Sequence, residues 1–223
     1  MKEFKIRASA ASQIMTNPRS KSDLLSKTTE SYCQDWLKEQ IYNRRKEFSS
    51  KYTDKGNIVE DNSIDLYAEF AGYPMLLKNE QNFNDDFMTG TPDILLDDKV
   101  IDIKSSWDAF TFPLFDTEVP SAYYWQAQVY MHLTGRKQFT LAYCLSDTPE
   151  HIIEKEAYYY CNRTGYDFDE KILNEFISKM TYSDVDIKLR IKTFEISYNQ
   201  DDIDRLIERV KECRTYIQSI KIK

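Results

Sequence analysis

The sequence predicts an α/β fold in which a mixed central β-sheet is flanked by helices. Two observations support this class. Segments with alternating or continuous apolar residues, typical of strands, are interleaved with segments of helical period. In addition, 41% of the 223 residues are hydrophobic, and no Pro/Gly/Ser-rich linker interrupts the chain. We therefore expect one domain over residues 1–223.

Helical spacing of apolar residues defines the predicted helices, and β-branched or aromatic runs define the strands. Gly72 and Gly135 follow two of the helices, as glycine often does at a helix C-terminus. The predicted helices cover residues 8–17, 30–50, 56–70, 121–134, 167–180 and 200–220. The predicted strands cover residues 75–83, 87–96, 100–105, 138–146, 155–161 and 189–197, and a turn at 97–99 joins the second and third as a hairpin.

Several functional classes are excluded by what the sequence lacks. The five glycines are at least 16 residues apart, so neither a Walker A loop nor a GxGxxG turn can form. Only two histidines are present, and the four cysteines form no CxxC pair, which disfavours zinc and iron–sulfur sites. No apolar run approaches the roughly 18 residues of a membrane span. The first residues lack the apolar core of a signal peptide, so we expect a cytoplasmic protein without membrane contact.

The net charge of −7 is distributed unevenly along the chain. Residues 1–55 carry a net charge of +5, whereas residues 56–223 carry −12 and the stretch 56–108 alone carries −9. A basic leading segment before an acidic body is typical of a protein that contacts phosphates with one part and binds metal with another. Chance variation along a charged surface is the alternative explanation of this pattern.

The predicted hairpin concentrates the residues that carry chemistry. Asp102 and Lys104 occupy positions i and i+2 of one strand, so both side chains project from the same face, and the hairpin brings Asp93 beside Asp102. Carboxylate oxygens are hard ligands suited to Mg²⁺ or Mn²⁺, and a neighbouring lysine is suited to orienting a water molecule. These groups favour metal-assisted hydrolysis of a phosphodiester. The alternative is an exposed hairpin with ordinary polar residues.

The same residues resemble the PD-(D/E)xK nuclease signature. Pro92-Asp93 and Asp102-Ile-Lys104 match its two halves, and the segment from Gly56 to Glu60 resembles the G-x-x-x-E helix of phage lambda-type exonucleases. Gln126-Ala-Gln-Val-Tyr130 resembles the QxxxY motif of the RecB-like and lambda-exonuclease-like branch. The segment 6–9, Ile-Arg-Ala-Ser, resembles the phosphate-binding segment of the YqaJ/lambda exonuclease group. The resemblance covers residues 6–145 and implies a restriction-endonuclease-like core.

This resemblance implies a role for each matching residue. It implies catalytic roles for Glu60, Asp93, Asp102, Lys104, Gln126 and Tyr130. It implies a metal site formed by the carboxylates of Glu60, Asp93 and Asp102 with the backbone carbonyl of Ile103. In this interpretation Lys104 activates or orients the attacking water, Gln126 positions Lys104 or the phosphate, and Tyr130 supports Gln126. DNA contacts are expected from Arg7, Ser9, Ser12, Ser105, Ser106 and Trp107.

The resemblance further implies a Mg²⁺-dependent 5′-to-3′ exonuclease that acts on double-stranded DNA ends during recombination in a bacterial or phage-infected cell. Mn²⁺ could substitute for Mg²⁺, and two ions are expected with DNA bound. Residues 1–55 would contact DNA, 56–146 would form the catalytic core, and 147–223 would complete the fold. The implied partners are further copies of the chain in a ring such as a trimer, and a single-strand annealing protein.

Two alternatives to this function stay open. The first is an endonuclease, or a CRISPR-adaptation or RecB-like nuclease that lacks an iron–sulfur cluster, built on the same fold. The second is a non-catalytic DNA-binding subunit of that fold, although the carboxylates and the lysine whose loss is usual in such subunits are all present.

Overall fold

A computed structural model describes residues 2–20, 22–46 and 51–221, without the side chains of residues 51–57. The α-helices are α1 (Ala11–Ile14), α2 (Lys27–Tyr42), α3 (Lys51–Ala71), α4 (Ser121–Thr134), α5 (Glu150–Thr164), α6 (Glu170–Met180) and α7 (Gln200–Ser219). The strands are β1 (Ile6–Arg7), β2 (Phe83–Asn84), β3 (Met88–Gly90), β4 (Ile94–Leu95), β5 (Lys99–Ser105), β6 (Gln138–Cys144) and β7 (Ile191–Ser197). Across these ranges, no helix combines the length and the apolar character needed to cross a membrane.

The strands form two sheets. The larger sheet has the order β4-β5-β6-β7, in which β5 and β6 are parallel and the two outer pairs are antiparallel. The smaller sheet has the order β1-β3-β2. The mixed α/β class predicted from the sequence is therefore confirmed, as is the hairpin between β4 and β5. The division of the strands into two sheets was not predicted.

Helices cover both faces of the larger sheet. Val100 of β5 and Leu141 of β6 pack in a core with α4, α1 and α7. Ile101 and Ile103 of β5 pack on the opposite face with Ile64 of α3. Because side chains alternate along a strand, Asp102 lies on the α4 side of the sheet, on the face opposite Ile101 and Ile103.

Helix α4 carries the predicted Gln126 and Tyr130, and its ends match the prediction. It starts after Pro120, which fixes its own φ and has no N–H that would need a partner. It ends at Gly135, whose φ of 74° is the left-handed conformation that favours glycine. The helix also passes close to the smaller sheet and to α1, so it connects both sheets to the α1 side of the core.

One strand prediction is wrong. Residues 155–161, which include three consecutive tyrosines, belong to helix α5. The tyrosines favour strand by propensity, but Ile153, Ala157 and Cys161 recur at every fourth position and are all buried. Tyr158 and Tyr159 are exposed on the other side of the helix. Burial of the four-residue repeat outweighs the local preference of the aromatic residues.

Other predicted boundaries need correction. The strand predicted over 75–83 is reduced to a single bridge at Lys78 and to β2, because Asn79 forms a side-chain turn with the carbonyl of Gln81. The strand predicted over 87–96 is divided into β3 and β4 around Pro92, which cannot donate to a strand ladder.

Two predicted helices have different ends from those expected. Helix α2 begins at Lys27, within a segment expected to be a loop, because Ser26 caps it by accepting a hydrogen bond from the Thr29 amide. It ends before Asn43, so the predicted continuation does not form over 43–46, and residues 47–50 of that prediction lie outside the described residues. Helix α3 begins five residues earlier than predicted, at Lys51.

A cluster of three serine hydroxyl groups connects α3 to the larger sheet. The Ser63 Oγ atom of α3 is 2.7 Å from the Oγ of Ser105 and 2.8 Å from the Oγ of Ser146. Ser105 ends β5, and Ser146 follows β6. Because Ser63 and Ser146 are buried, these hydrogen bonds replace bonds that the hydroxyl groups would otherwise make with water.

We predict that Ser63→Ala lowers the free energy of unfolding by about 1–3 kcal/mol, because it removes the hydrogen bonds that join α3 to Ser105 and to the buried Ser146. Urea denaturation followed by circular dichroism measures this change. The matched control is Ser178→Ala at an exposed position of α6, where we expect a change within about 0.5 kcal/mol. Equal stability of the two variants would contradict the assigned role of Ser63.

Candidate active site

The two predicted aspartates lie opposite each other on the β4–β5 hairpin. Ile94 pairs with Ile101, so the preceding residue, Asp93, is level with Asp102 in the same register. Asp102 is almost completely buried, with 1% of its surface exposed. Asp93 Oδ2 accepts a hydrogen bond of 2.8 Å from the backbone amide of Ile103. The hairpin geometry predicted from the sequence therefore exists.

Burial, and then the neighbouring charge of Asp102, raises the pKa of Asp93 from 3.8 to about 7. The carboxylate of Glu60 contributes to the same shift, whereas Lys104 and the Ile103 amide oppose it. Two carboxylates in a poorly solvated place repel each other, so the pair disfavours full ionisation unless a cation is nearby. This pair is therefore an electrostatically unfavourable arrangement that a cation would relieve.

Lys104 supplies one cation to the site. Its ammonium group forms an ion pair with Asp102 Oδ2, and its side chain is 24% exposed. Burial on its own lowers the pKa of Lys104, but attraction to Asp102 and Asp93 outweighs burial and raises it. In this arrangement Lys104 stays protonated at neutral pH and acts as a hydrogen-bond donor.

Helix α4 contributes the predicted amide and hydroxyl groups. Gln126 Nε2 donates a hydrogen bond of 3.2 Å to Asp102 Oδ1 and a second of 3.1 Å to the Tyr130 hydroxyl. The two residues are four positions apart and share a helix face, as predicted. Burial and the charge of Asp102 raise the pKa of Tyr130 to about 12, so its hydroxyl remains neutral. These contacts place Gln126 beside Asp102 and Tyr130 at the hairpin, and the catalytic roles expected for the two α4 residues stay predictions.

Glu60 is less closely associated with the aspartates than expected. It lies on α3 and forms an ion pair of 2.6 Å with Lys78. Its charge still reaches Asp93, where it contributes to the raised pKa. Lys78 was not singled out in the sequence, because only the bridge between Lys78 and Ile94 brings it to this place.

The side chains at the site meet only some of the requirements for binding a divalent cation. Within the described residues, no three Asp, Glu, His or Cys side chains stand close enough together to hold a metal as they are arranged. However, Asp102 Oδ2 is buried and accepts no hydrogen bond from the described residues. Its one polar contact among them is the ion pair with Lys104. Oxygen ligands from paired carboxylates are the donor set that Mg²⁺ prefers. Asp93 and Asp102 fit such an ion, whereas Glu60 would first have to leave Lys78.

The predicted phosphate-binding residues divide into two groups. Arg7 and Ser9 line a cleft of about 530 Å³ between the start of the chain and α2. Arg7 is held there by the Tyr32 hydroxyl at 3.5 Å and by Glu39 at 3.7 Å. Ser12 is partly buried on α1 and is not among the residues that line this cleft. The cleft therefore brings together two of the three predicted residues.

The residues after β5 are placed differently from the expectation that they border DNA. The hydroxyl of Ser105 is hydrogen-bonded to Ser63, and Ser106 is buried. Trp107 is also buried and packs with Ile153 and Met180. The expectation of DNA contacts from these residues stays a prediction, and in this conformation Ser106 and Trp107 are buried while Ser105 is partly exposed.

A family comparison agrees with this geometry. The model of the YqaJ-like viral recombinase domain matches residues 1–137, which is more than half of the chain. The chain belongs to the YqaJ-like viral recombinase family. The match includes the hairpin with Asp93, Asp102 and Lys104, and it includes Gln126 and Tyr130 of α4. The predicted resemblance to the YqaJ-like branch of PD-(D/E)xK nucleases is confirmed.

Solved structures extend the similarity beyond the YqaJ-like domain. A phage-related exonuclease from Haemophilus somnus 129PT superposes with a TM-score of 0.80 at 27% identity, covering 97% of this chain and 94% of that chain. An alkaline exonuclease from Laribacter hongkongensis superposes with a TM-score of 0.63 at 14% identity, covering 96% and 88%. The second similarity shows the fold alone. A search of curated proteins found no match.

These comparisons assign the YqaJ-like chain to a family of DNA exonucleases with a restriction-endonuclease-like fold. Three residues near the site were missed in the sequence. Ser63 contacts Ser105, Lys78 pairs with Glu60, and the Tyr123 ring lies 5.4 Å from Lys104 Nζ. Only Tyr123 had a usable signal, because it precedes Gln126 by three residues and therefore lies on the same face of α4.

Gly90 shows how closely the YqaJ-like site is packed. A Cβ atom at this position would lie 2.6 Å from Tyr130 Cε1 and 2.9 Å from the Cβ of Ala8. The absence of a side chain at Gly90 allows the Tyr130 ring and the start of the chain to approach β3. This contact connects the Arg7–Ser9 segment to the motif on α4.

We predict that Gly90→Ala displaces Tyr130, lowers the stability by about 1–3 kcal/mol and reduces nuclease activity, because the added methyl group overlaps the ring. Thermal unfolding and a nuclease assay measure both effects. Gly165→Ala is the control, since its φ of +78° causes strain but no atom lies within 4 Å of the added Cβ. The control should lose about 1 kcal/mol and keep its activity. Full activity of Gly90→Ala would contradict the contact.

We predict that Asp93→Asn stabilises the metal-free protein by about 1–2 kcal/mol at pH 8, because it removes one of two repelling buried carboxylates. The pKa of Asp93 in the folded state is raised to about 7, so the charged carboxylate destabilises the fold to its full extent above pH 7. As pH falls from 7 towards about 4, the folded wild type takes up the proton and the difference disappears. Thermal unfolding in EDTA across this pH range tests the prediction, and a less stable variant at pH 8 would refute it.

Proposed function

We propose that this protein is a Mg²⁺-dependent nuclease that hydrolyses one strand of double-stranded DNA from its 5′ end during recombination. One observation carries the proposal. Asp93, Asp102 and Lys104 converge on one hairpin, with Gln126 bonded to Asp102, in a chain of an exonuclease family. Paired carboxylates with a neighbouring ammonium group are suited to hydrolysis of a phosphodiester with a metal ion.

Asp93, Asp102 and the carbonyl of Ile103 would hold Mg²⁺, or Mn²⁺ in its place, and Glu60 would join them after leaving Lys78. A second ion would accompany bound DNA. When bound, such an ion neutralises charge on the phosphate and lowers the pKa of a coordinated water molecule. The net charge of −9 over residues 56–108 makes cations necessary for a polyanion to approach.

The side chains around the aspartates have distinct tasks in this proposal. Lys104 is protonated, so its ammonium group orients the attacking water or donates to a phosphate oxygen rather than removing a proton. Gln126 keeps Asp102 in place through the hydrogen bond to Oδ1. Tyr130 is neutral and supports the Gln126 amide.

The cleft with Arg7 and Ser9 is the proposed contact for a backbone phosphate near the 5′ end. A guanidinium group offers two parallel donors to phosphate oxygens. Arg7 is also within 3.7 Å of Glu39, so a phosphate would compete with that carboxylate. The alkaline exonuclease from Laribacter hongkongensis has been solved in complex with dAMP, a nucleoside monophosphate of the kind that exonucleolytic cleavage releases. Ser12 would contribute from α1.

The proposed partners follow from the family. A chain of 26.5 kDa is too small to encircle a duplex by itself, so a ring of copies, such as a trimer, is the proposed route to processive cleavage. A single-strand annealing protein is the proposed recipient of the product strand. The proposed compartment is the cytoplasm of a bacterial or phage-infected cell.

We predict that the purified protein degrades linear duplex DNA in Mg²⁺ and loses this activity in EDTA. Duplexes labelled at the 5′ or 3′ end, with and without a 5′ phosphate, report the polarity and the end requirement. A closed circular duplex is the control for endonuclease activity. Cleavage of the circle contradicts an exonuclease, and unchanged cleavage in EDTA contradicts metal dependence.

We predict that Asp102→Ala and Lys104→Ala each reduce the rate at least about 100-fold, because Asp102 would hold the metal ion and Lys104 would act on the developing charge. Lys99→Ala is the matched control on the same strand, since Lys99 pairs with Glu195 at the sheet surface. Circular dichroism checks that all three variants are folded. Wild-type rates for both site variants would remove the basis of the proposed function.

A further inference from the structure

We infer that Tyr123 positions Lys104 for catalysis by holding the lysine ammonium group against its aromatic ring. This inference rests on the proposed function, since it concerns how the same site works. Tyr123 belongs to none of the motifs that the sequence analysis matched to the nuclease family. Four points support this role: the flexibility of the Lys104 side chain, its distance from the Tyr123 ring, the packing of that ring, and the change in the charge of Asp102 when a cation binds.

Lys104 needs more than one contact to have a defined position. A lysine side chain has four rotatable bonds, and 24% of this one is exposed. The carboxylate of Asp102 attracts the ammonium group from one side. Because attraction between charges depends weakly on direction, Asp102 alone leaves several positions open to the ammonium group.

The ring of Tyr123 provides the second contact. Lys104 Nζ is 5.4 Å from the centroid of this ring. The negative face of an aromatic ring attracts a cation within about 6 Å. The ammonium group is therefore held between a carboxylate on its own strand and a ring from α4.

The ring itself is fixed by its neighbours. Tyr123 packs edge-to-face on Tyr143, with centroids 5.9 Å apart and planes at 82°. Tyr143 is paired with Lys104 in the β5–β6 ladder and packs edge-to-face on Phe194 of β7, at 6.1 Å. A row of rings from three elements therefore fixes the ring against which Lys104 rests.

The contact with Tyr123 gains importance during the proposed reaction. When Asp102 shares its charge with a bound cation, its attraction for the Lys104 ammonium group falls. The attraction of the ring face arises from its quadrupole and does not depend on the charge of Asp102. Tyr123 therefore keeps Lys104 near the scissile phosphate in the state in which the lysine has to act.

The test compares Tyr123→Phe, which keeps the ring, with Tyr123→Leu, which removes it, using linear duplex DNA and Mg²⁺. We expect Tyr123→Phe to keep kcat within about 2-fold and Tyr123→Leu to lower kcat about 10-fold with little change in KM. If the leucine variant does not fold, it is replaced by Tyr123→Met, which fills the space of the ring with a flexible side chain. Thermal unfolding shows which variants are intact.

Tyr159→Leu is the matched control. The ammonium group of Lys155 is 5.9 Å from the centroid of the Tyr159 ring, on the exposed side of α5. Its loss removes a cation–ring contact of the same kind outside the site. We expect kcat of this variant to equal that of the wild type.

A measurement that does not depend on cleavage tests the contact directly. In lysine-labelled protein, the Lys104 methylene protons next to Nζ should be shifted upfield by the ring, and Lys104→Arg identifies their signal. The shift should persist in Tyr123→Phe and disappear in Tyr123→Leu. An unchanged signal in Tyr123→Leu, an unchanged kcat, or an equal loss in Tyr123→Phe overturns the inference. Wild-type protein that cleaves no DNA overturns the proposed function instead, and leaves the resonance test of Tyr123 in place.

Discussion

Burial of the Asp102 carboxylate is the constraint on which the organisation of this molecule depends. A carboxylate in the middle of a buried strand loses its water, which costs several kcal/mol unless the protein supplies charge and hydrogen bonds. Two groups meet this demand, and a third opposes it. Lys104 of the same strand and Gln126 of α4 stabilise the carboxylate, whereas Asp93 of the adjacent strand increases the local negative charge.

The elements that supply these groups are positioned by packing elsewhere. Helix α4 keeps Gln126 over the sheet because its buried face packs on β6 and α1. Helix α3 stays on the other face because of Ile64 and the buried Ser63 hydroxyl. The polar site therefore lies between two apolar cores, and a change in either core alters the distances among the charged groups.

The features that the sequence predicted correctly are those set by local periodicity. Alternation along β5 determined which face carries Asp102, and the spacing of Gln126 and Tyr130 determined that they share a helix face. Asp93 was correctly placed because a short turn leaves little freedom in the register of a hairpin. These inferences need only a few neighbouring residues.

The features that were missed depend on contacts between distant segments. Trp107 follows β5, but its ring fills a space between α5 and α6 that no local pattern reveals. Helix α5 itself was predicted as a strand, because its tyrosines are locally typical of strands. Glu60 lies on the expected helix, yet its partner Lys78 reaches it only through the pairing of that segment with Ile94.

The last 80 residues, which matched no motif, are part of the same packing arrangement. Strand β7 pairs along the whole of β6, and α7 buries Leu206 and Val210 in the core that also contains α4. Gln128, which lies inside the QxxxY motif, accepts a hydrogen bond from the Asn199 amide and donates one to the Ser197 carbonyl, both at 2.8 Å. The motif helix is thus fixed from both sides. Gln126 faces the carboxylates and Gln128 faces the C-terminal segment, so the segment without a motif sets the position of the motif itself.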